Sequence, residues 1–333
     1  MLITIISLIV LLILAAVIYL STLDGNYTVR QSHTINAGKE AVFDKLIDLK
    51  SWPEWSPWLI HEPDTRLEYS EKTNAEGGNY SWDGKYIGAG KLTHIKLERP
   101  NHIKNKLEFI RPFKSVCDVG FELEDEQGKT KVTWYMNGSM PFFFRFMVPR
   151  TVNLISNDYA LGLAMLAGVM DSASEHPRLS FDGEIELQQQ YSLFKHFEGL
   201  LPEMQKAMQT GFPELLQHVQ TQGKQPSAPP FSVYHKVNLK KMHFVCDMAI
   251  PLSEDIEVGP FNSRIYEGGR FFKVTLKGDY SFLELAWHSA YTHVCTRKIK
   301  IDKKRPSLEI YENDPNQLEN TNELITSLYI PVK

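Results

Sequence analysis

The second half of the chain repeats itself. Pro229-Pro230-Phe231-Ser232-Val233-Tyr234 aligns with Pro306-Ser307-Leu308-Glu309-Ile310-Tyr311, so Tyr234 corresponds to Tyr311 and Ser232 to Glu309. Upstream, Phe212-Pro213-Glu214-Leu215 and Phe282-Leu283-Glu284-Leu285 open two helical stretches, and downstream each copy closes on a strand ending Ile-Pro, at Ile250-Pro251 and Ile330-Pro331. Two such units pair most simply about a pseudo-twofold axis with a cleft between them. In the second copy strand alternation sets Leu308 and Ile310 on one face and Ser307, Glu309 and Tyr311 on the other. The carboxylate occurs in one copy only. Burying an unpaired charge is costly, so an acid among aromatics asks for a partner or ligand. A solvated Glu on an exposed strand face is the simpler explanation of the same pattern.

The 333-residue length predicts two globular domains. Ahead of them, Met1 to Leu23 contains no charged side chain and is filled with Ile, Leu, Val and Ala. A helix of that length, at about 1.5 Å per residue, matches a hydrocarbon core of roughly 30 Å. A cleaved signal peptide is the rival, but the run lacks a basic n-region and a small-x-small cleavage site, so residues 1–23 are expected to be a single-span transmembrane helix. Arg30, Lys39, Lys45 and Lys50 follow the span and no basic residue precedes it. This favours a cytoplasmic C-terminal side, although the rule is weak ahead of a large folded domain and leaves the side open.

After the span, Tyr27–Ile35 alternates as a strand, Asn36 stands where a helix cap belongs, and Val42, Phe43, Leu46 and Ile47 fall at helical spacing. Trp52, Trp55 and Trp58, held by Pro53 and Pro57, predict an aromatic corner packed on a sheet. Short strands to Met136 and a helix over about 152–172 complete an α+β unit in which the sheet wraps the helix. The opening Y-T-V-R-Q-S-H-T-I-N-A-G-K-E-A-V-F-D-K-L-I-D-L-K-S-W-P-E-W-S-P-W resembles the START-like, polyketide cyclase (SRPBCC) superfamily. The resemblance implies a helix-grip domain over residues 24–175 with a deep apolar cavity under the long helix. His94, Asp118 and Glu122 lie on strand-like runs and are expected at the surface, with cavity lining the alternative for each. Met140 to Met147, rich in Phe, is expected to be buried under the last helix; a cavity lid or a contact with the membrane surface are the alternatives.

Net charge of −4 gives no electrostatic footing for nucleic acid. Cys117, Cys246 and Cys295 make no C-x-x-C pair, and the eleven histidines show no H-E-x-x-H pattern, so neither a disulfide framework, a metal site nor a cofactor is expected.

His176-Pro177-Arg178 marks a linker into a rear domain at 179–333, in which Glu184–His196 reads as one strand and Leu201–Gln222 as a helix kinked or broken at Pro213. Arg270-Phe-Phe-Lys-Val-Thr-Leu-Lys-Gly-Asp-Tyr280, then F-L-E-L-A-W287, L-E-I-Y-E-N-D-P and the terminal E-L-I-T-S-L-Y-I-P-V resemble the gyrase-inhibitor-like (GyrI-like) effector-binding domain found in AraC- and MerR-type regulators. That resemblance implies a cleft lined by aromatics, with Glu309 at its floor and Trp287, Tyr280 and Tyr311 around it; Tyr234 joins them through the repeat. Trp287 also lies at helical spacing with Leu283, Ala290, Tyr291 and Val294, which suits a core role equally.

The expected fold class is therefore α+β: an N-terminal transmembrane helix, a helix-grip START-like domain, then a duplicated effector-binding domain with a pseudo-twofold cleft. The expected function is a single-pass protein, taken as one of a bacterial inner membrane, that captures or senses hydrophobic or cationic small molecules without binding nucleic acid. A hydrolase or cyclase using Glu309 on small hydrophobic electrophiles is the alternative from another class. A scaffold for an unknown protein partner is the third.

Overall fold

The computed structural model describes residues 2–333, which divide into two compact units, 2–174 and 175–333. In the first, α1 (Leu2–Thr22) is exposed along its apolar length, as an anchor or a signal sequence is. Only Leu23-Asp24-Gly25 separates it from β1 (Asn26–Ile35). There follow α2 (Lys39–Ile47), β2 (Arg66–Tyr69), β3 (Asn79–Asp83), β4 (Ala89–Glu98), β5 (His102–Arg111), β6 (Ser115–Glu126), β7 (Lys129–Ser139) and α3 (Val148–Met170). The seven strands form one antiparallel sheet in the order β1-β7-β6-β5-β4-β3-β2, and α3 lies on β1 and β7. This is the sheet-around-helix arrangement expected from the sequence. Asn36 is not the cap of α2: the helix starts after Gly38, which offers no side-chain acceptor, while Asn36 Nδ2 donates to Asp171 Oδ2 at 2.7 Å.

The aromatic corner has folded inwards. Trp52, Trp55, Trp134, Phe121 and Tyr159 are fully buried against one another, with Trp134 stacked on Tyr159 at 4.0 Å and Trp52 4.9 Å from Trp55. These rings occupy the space where the resemblance implied a deep apolar cavity under the long helix, because the Trp-Pro turn supplies its bulk to the interior. His94 is likewise buried rather than at the surface, with Nδ1 2.7 Å from Asn105 Oδ1 and Nε2 3.0 Å from the Ile47 carbonyl. Asp118 and Glu122 are exposed enough to be solvated.

Gly162 is what lets α3 come down onto this cluster, since a Cβ there would lie 2.9 Å from the Trp134 ring and 3.0 Å from Pro57. Gly162→Ala gains about 1 kcal/mol of helix propensity but overpacks the site at a cost of about 1–3 kcal/mol, so a net loss of stability is expected. Five of the six tryptophans, Trp52, Trp55, Trp58, Trp82 and Trp134, lie in this unit, so urea unfolding followed by Trp fluorescence reads it directly. An unchanged or raised midpoint would show that the rings yield.

In the second unit each repeat is strand, strand, helix, strand, strand. The first runs β8 (Arg178–Leu187), β9 (Gln190–Leu200), α4 (Leu201–Thr221), β10 (Phe231–Asn238), β11 (His243–Pro251), and the second β12 (Asn262–Tyr266), β13 (Gly269–Lys277), α5 (Leu283–Thr296), β14 (Ser307–Tyr311), β15 (Ile325–Pro331). The stretch read as one strand over 184–196 is thus two, broken at Gln188-Gln189, and α4 continues through Pro213 without a break.

All eight strands join one antiparallel sheet, β12-β9-β11-β10-β14-β15-β13-β8, in which each repeat lends its leading strand to the edge of the other. The links Gln188-Gln189 and Glu267-Gly268 each span at most about 10 Å, so they draw the two ends of the sheet together. They pass against each other so tightly that a Cβ on Gly268 would sit 2.2 Å from the Leu187 carbonyl oxygen. The sheet is therefore strongly curled, with Phe194, Phe231, Val233, Phe271, Leu308 and Tyr329 packed on its inner face. On the other face α4 covers β9 and β11, and α5 covers β13 and β15. The central strands β10 and β14 are left as the floor between the helices.

Candidate ligand-binding site

Strand alternation puts Ser232 and Tyr234 of β10, and Glu309 and Tyr311 of β14, on the floor between α4 and α5, while Val233 and Leu308 turn to the inner face of the curl. Ser232 and Glu309, equivalent by the repeat, are direct partners in the β10–β14 register. The pseudo-twofold axis accordingly passes through this pair, and the one carboxylate sits on the axis.

Glu309 is only 3% exposed. Its Oε1 accepts from Trp287 Nε1 at 2.5 Å, and its Oε2 accepts from the hydroxyls of Tyr234 at 2.8 Å and Tyr311 at 2.9 Å. Since the Tyr311 proton is given to Glu309, the Ser232 hydroxyl, 2.9 Å away, donates to Tyr311 in turn. Burial pushes the Glu309 carboxyl above the usual carboxylate range, and the bonds from Trp287, Tyr234 and Tyr311 pull it down without cancelling that effect. Burial first, and the Glu309 charge second, hold the Tyr234 and Tyr311 hydroxyls far above the usual tyrosine range, so both remain donors.

The aromatic wall is continuous. Tyr280 meets Tyr311 edge-on at 5.8 Å, Tyr234 meets Trp287 at 6.4 Å, and Tyr291 stacks on Trp287 at 5.7 Å. All five residues singled out in the sequence, Glu309, Tyr311, Trp287, Tyr280 and Tyr234, are thus brought to one place. Trp287 serves core and groove together, packing on the α5 cluster through its ring while donating its N–H to Glu309. Phe212 of α4, 5.4 Å from Tyr311, completes the opposite side. It was visible in the sequence only as the first residue of a repeat marker.

A second buried acid escaped the sequence reading altogether. Asp247 of β11 is fully buried on the inner side of the sheet, where it accepts from His196 Nδ1 and His235 Nε2, both at 2.7 Å, and from the Tyr266 hydroxyl at 2.9 Å. Burial pushes its carboxyl up, but the hydrogen bonds from His235, His196 and Tyr266 outweigh this and leave it below the ordinary 3.8. With three hydrogen bonds from β9, β10 and β12 to a carboxylate on β11, this cluster ties four strands together.

Residues 184–333 match the family model of the GyrI-like small molecule binding domain. The rear unit is a GyrI-like domain. The Glu309 groove lies wholly within the matched segment. No curated protein matches the chain. Among solved structures, SAV2435 bound to tetraphenylphosphonium is 11% identical, with 45% of this chain and 92% of that one covered and a TM-score of 0.36. Protein MLL2253 from Mesorhizobium loti is 14% identical over 44% of this chain and 99% of its own, with a TM-score of 0.35, and Ara h 8.0201 is 13% identical over 44% and 99%, at 0.34. The chain is an α+β protein with a seven-stranded antiparallel unit ahead of its GyrI-like domain.

Proposed function

We propose that this is a membrane-anchored binding protein whose GyrI-like domain captures hydrophobic cations in the groove between α4 and α5, with Glu309 as counter-charge. The observation that carries it is the buried Glu309 carboxyl among Tyr234, Trp287, Tyr311 and Tyr280, whose burial raises it and whose neighbours offer ring faces and edges to an organic cation. A cation on that carboxylate restores the charge partner that burial removed, and each good ring contact adds about 0.5–2 kcal/mol. The domain assignments are residues 1–23 as anchor, 24–175 as the START-like unit and 179–333 as the effector-binding unit. The aromatic filling of the front unit is one reason to read capture as the work of the rear one.

Tetraphenylphosphonium, the molecule seen with SAV2435, supplies the probe. A cation selects the ionised carboxyl, so a group whose proton is held unusually tightly must release it on binding. Below the raised carboxyl range the affinity for tetraphenylphosphonium should climb about tenfold per pH unit, then level off above it. Triphenylphosphine oxide, which is neutral, should show no such slope. Titration calorimetry across pH with both compounds decides the matter, and parallel profiles would remove Glu309 from the reading. Turnover of either class of probe would instead favour an enzyme.

The anchor has its own test. Full-length protein should stay in the membrane fraction through a carbonate wash, because the 20-residue apolar span at Ile3–Thr22 is long enough to cross at about 1.5 Å per residue. Recovery of a mature chain lacking those residues would make α1 a signal sequence.

A further inference from the structure

The Phe-rich segment expected under α3 is at the surface. Residues Phe142–Met147 form a 3-10 turn with no buried residue, and Phe143, Phe144 and Phe146 are 69%, 41% and 57% exposed. At the tip between β5 and β6, Phe113 is 70% exposed and lies 5.8 Å from Phe144, so two segments distant in sequence build one aromatic patch. A contiguous patch of large exposed rings marks an interaction surface rather than chance exposure.

Its position says which one. The turn packs beside α1: Arg145 Nη1 donates to the Leu23 carbonyl at 3.1 Å, and the Met140 N–H donates to the Gly25 carbonyl at 2.8 Å. The three residues between α1 and β1 reach at most about 11 Å, so whatever surrounds the end of α1 also meets this patch. Two exposed cations, Lys114 and Arg150, flank the rings, and no acidic partner is seen for either among the described residues. Aromatic rings at the headgroup level with basic residues beside them are the composition of a bilayer interface.

We propose that Phe113, Phe143, Phe144 and Phe146 seat the front unit on the bilayer that α1 enters, at the boundary of headgroups and acyl chains, with Lys114 and Arg150 against anionic headgroups. This rests on α1 being an anchor. It adds that the soluble part is held on the surface rather than tethered freely above it.

The test uses the full chain in vesicles of phosphatidylcholine mixed with phosphatidylglycerol. Cys295, the exposed cysteine, is replaced in Cys295→Ser, leaving the buried Cys117 and Cys246, and an environment-sensitive fluorophore is attached through Phe144→Cys or, as control, Lys129→Cys. Residue 129 lies beyond the far end of β6, a 12-residue strand of roughly 40 Å. At residue 144 the emission should shift to the blue and fall at least about twofold with a shallow doxyl lipid, as an insertion depth of about 5–10 Å requires, while residue 129 should not respond. Lys114→Glu with Arg150→Glu should reduce that quenching in the mixed vesicles and leave it unchanged in pure phosphatidylcholine. Flotation of the same samples reads the anchor separately. A chain that floats with residue 144 in water overturns the seat and spares the anchor, whereas a chain that does not float, with residue 144 unquenched, overturns both. A blue-shifted but unquenched residue 144 means that a second copy covers the patch, and the bilayer assignment falls. Equal quenching after the double charge reversal removes anionic headgroups from it.

Discussion

Glu309→Gln should weaken tetraphenylphosphonium binding by about 1.5–3 kcal/mol, roughly ten- to a hundredfold, and abolish the pH dependence of what remains. The fold should survive, for a reason set by the donors around the acid. A glutamine can turn its carbonyl to Trp287, whose indole N–H can only donate, and its NH2 to Tyr234 and Tyr311, whose hydroxyls can rotate to accept. The substitution therefore removes charge with little loss of hydrogen bonding. It also removes a buried ionisable group whose raised carboxyl favours the folded state below the ordinary carboxylate range and loses that contribution as pH rises through the raised value. At neutral pH the variant should be no less stable than the parent. Equal affinity in parent and variant, measured by calorimetry at neutral pH, would return Glu309 to a structural role.

Asp247→Asn should do the reverse, costing stability while leaving the groove's chemistry in place. Asp247 is the shared acceptor for His196 on β9, His235 on β10 and Tyr266 on β12, with Arg264 Nη1 3.6 Å away. An asparagine must direct its NH2 at one side of this ring of donors. Breaking a buried charge cluster in this way costs about 3–5 kcal/mol, and the lower end is expected because His196 and Arg264 are half-exposed. The folded-state carboxyl lies below the ordinary 3.8, so its contribution is complete above that value and fades as pH falls below it. The gap between parent and variant should thus be full at neutral pH and narrow in strong acid. Hydrogen exchange of peptides from β9, β11 and β12 measures it, and undiminished protection in Asp247→Asn would sink the idea.

The contrast between these two acids shows what the sequence could reveal. Glu309 stood out because its strand alternates, Tyr311 recurs as Tyr234 in the other repeat, and its counterpart is Ser232; each is read from a few adjacent residues and their copy. Asp247 sits in His-Phe-Val-Cys-Asp-Met-Ala-Ile-Pro, where it looks like a polar interruption, and its partners come from three other strands whose order only the curled sheet defines. His94 was hidden in the same way, since Asn105 and the Ile47 carbonyl reach it from other elements. The break at Gln188-Gln189 left no trace because the link contains neither Gly nor Pro. The Phe142–Met147 turn was misplaced because apolarity alone does not distinguish a core from a surface that meets something apolar.

The coincidence of Ser232 and Glu309 with the twofold axis has a consequence for how such a site can arise. In an assembly of two identical chains, any residue paired with its own equivalent across the axis meets a copy of itself. A glutamate there would face a second glutamate, with Cβ atoms about 4.5–5.5 Å apart in a place shielded from water, and the pair would repel. One of the two would have to keep its proton, and no single cation would find an unambiguous partner. Joining both halves in one polypeptide removes that restriction, because each half can then be altered alone. A lone charge at the centre of a symmetric groove is a feature that covalent fusion permits and strict homodimerisation forbids.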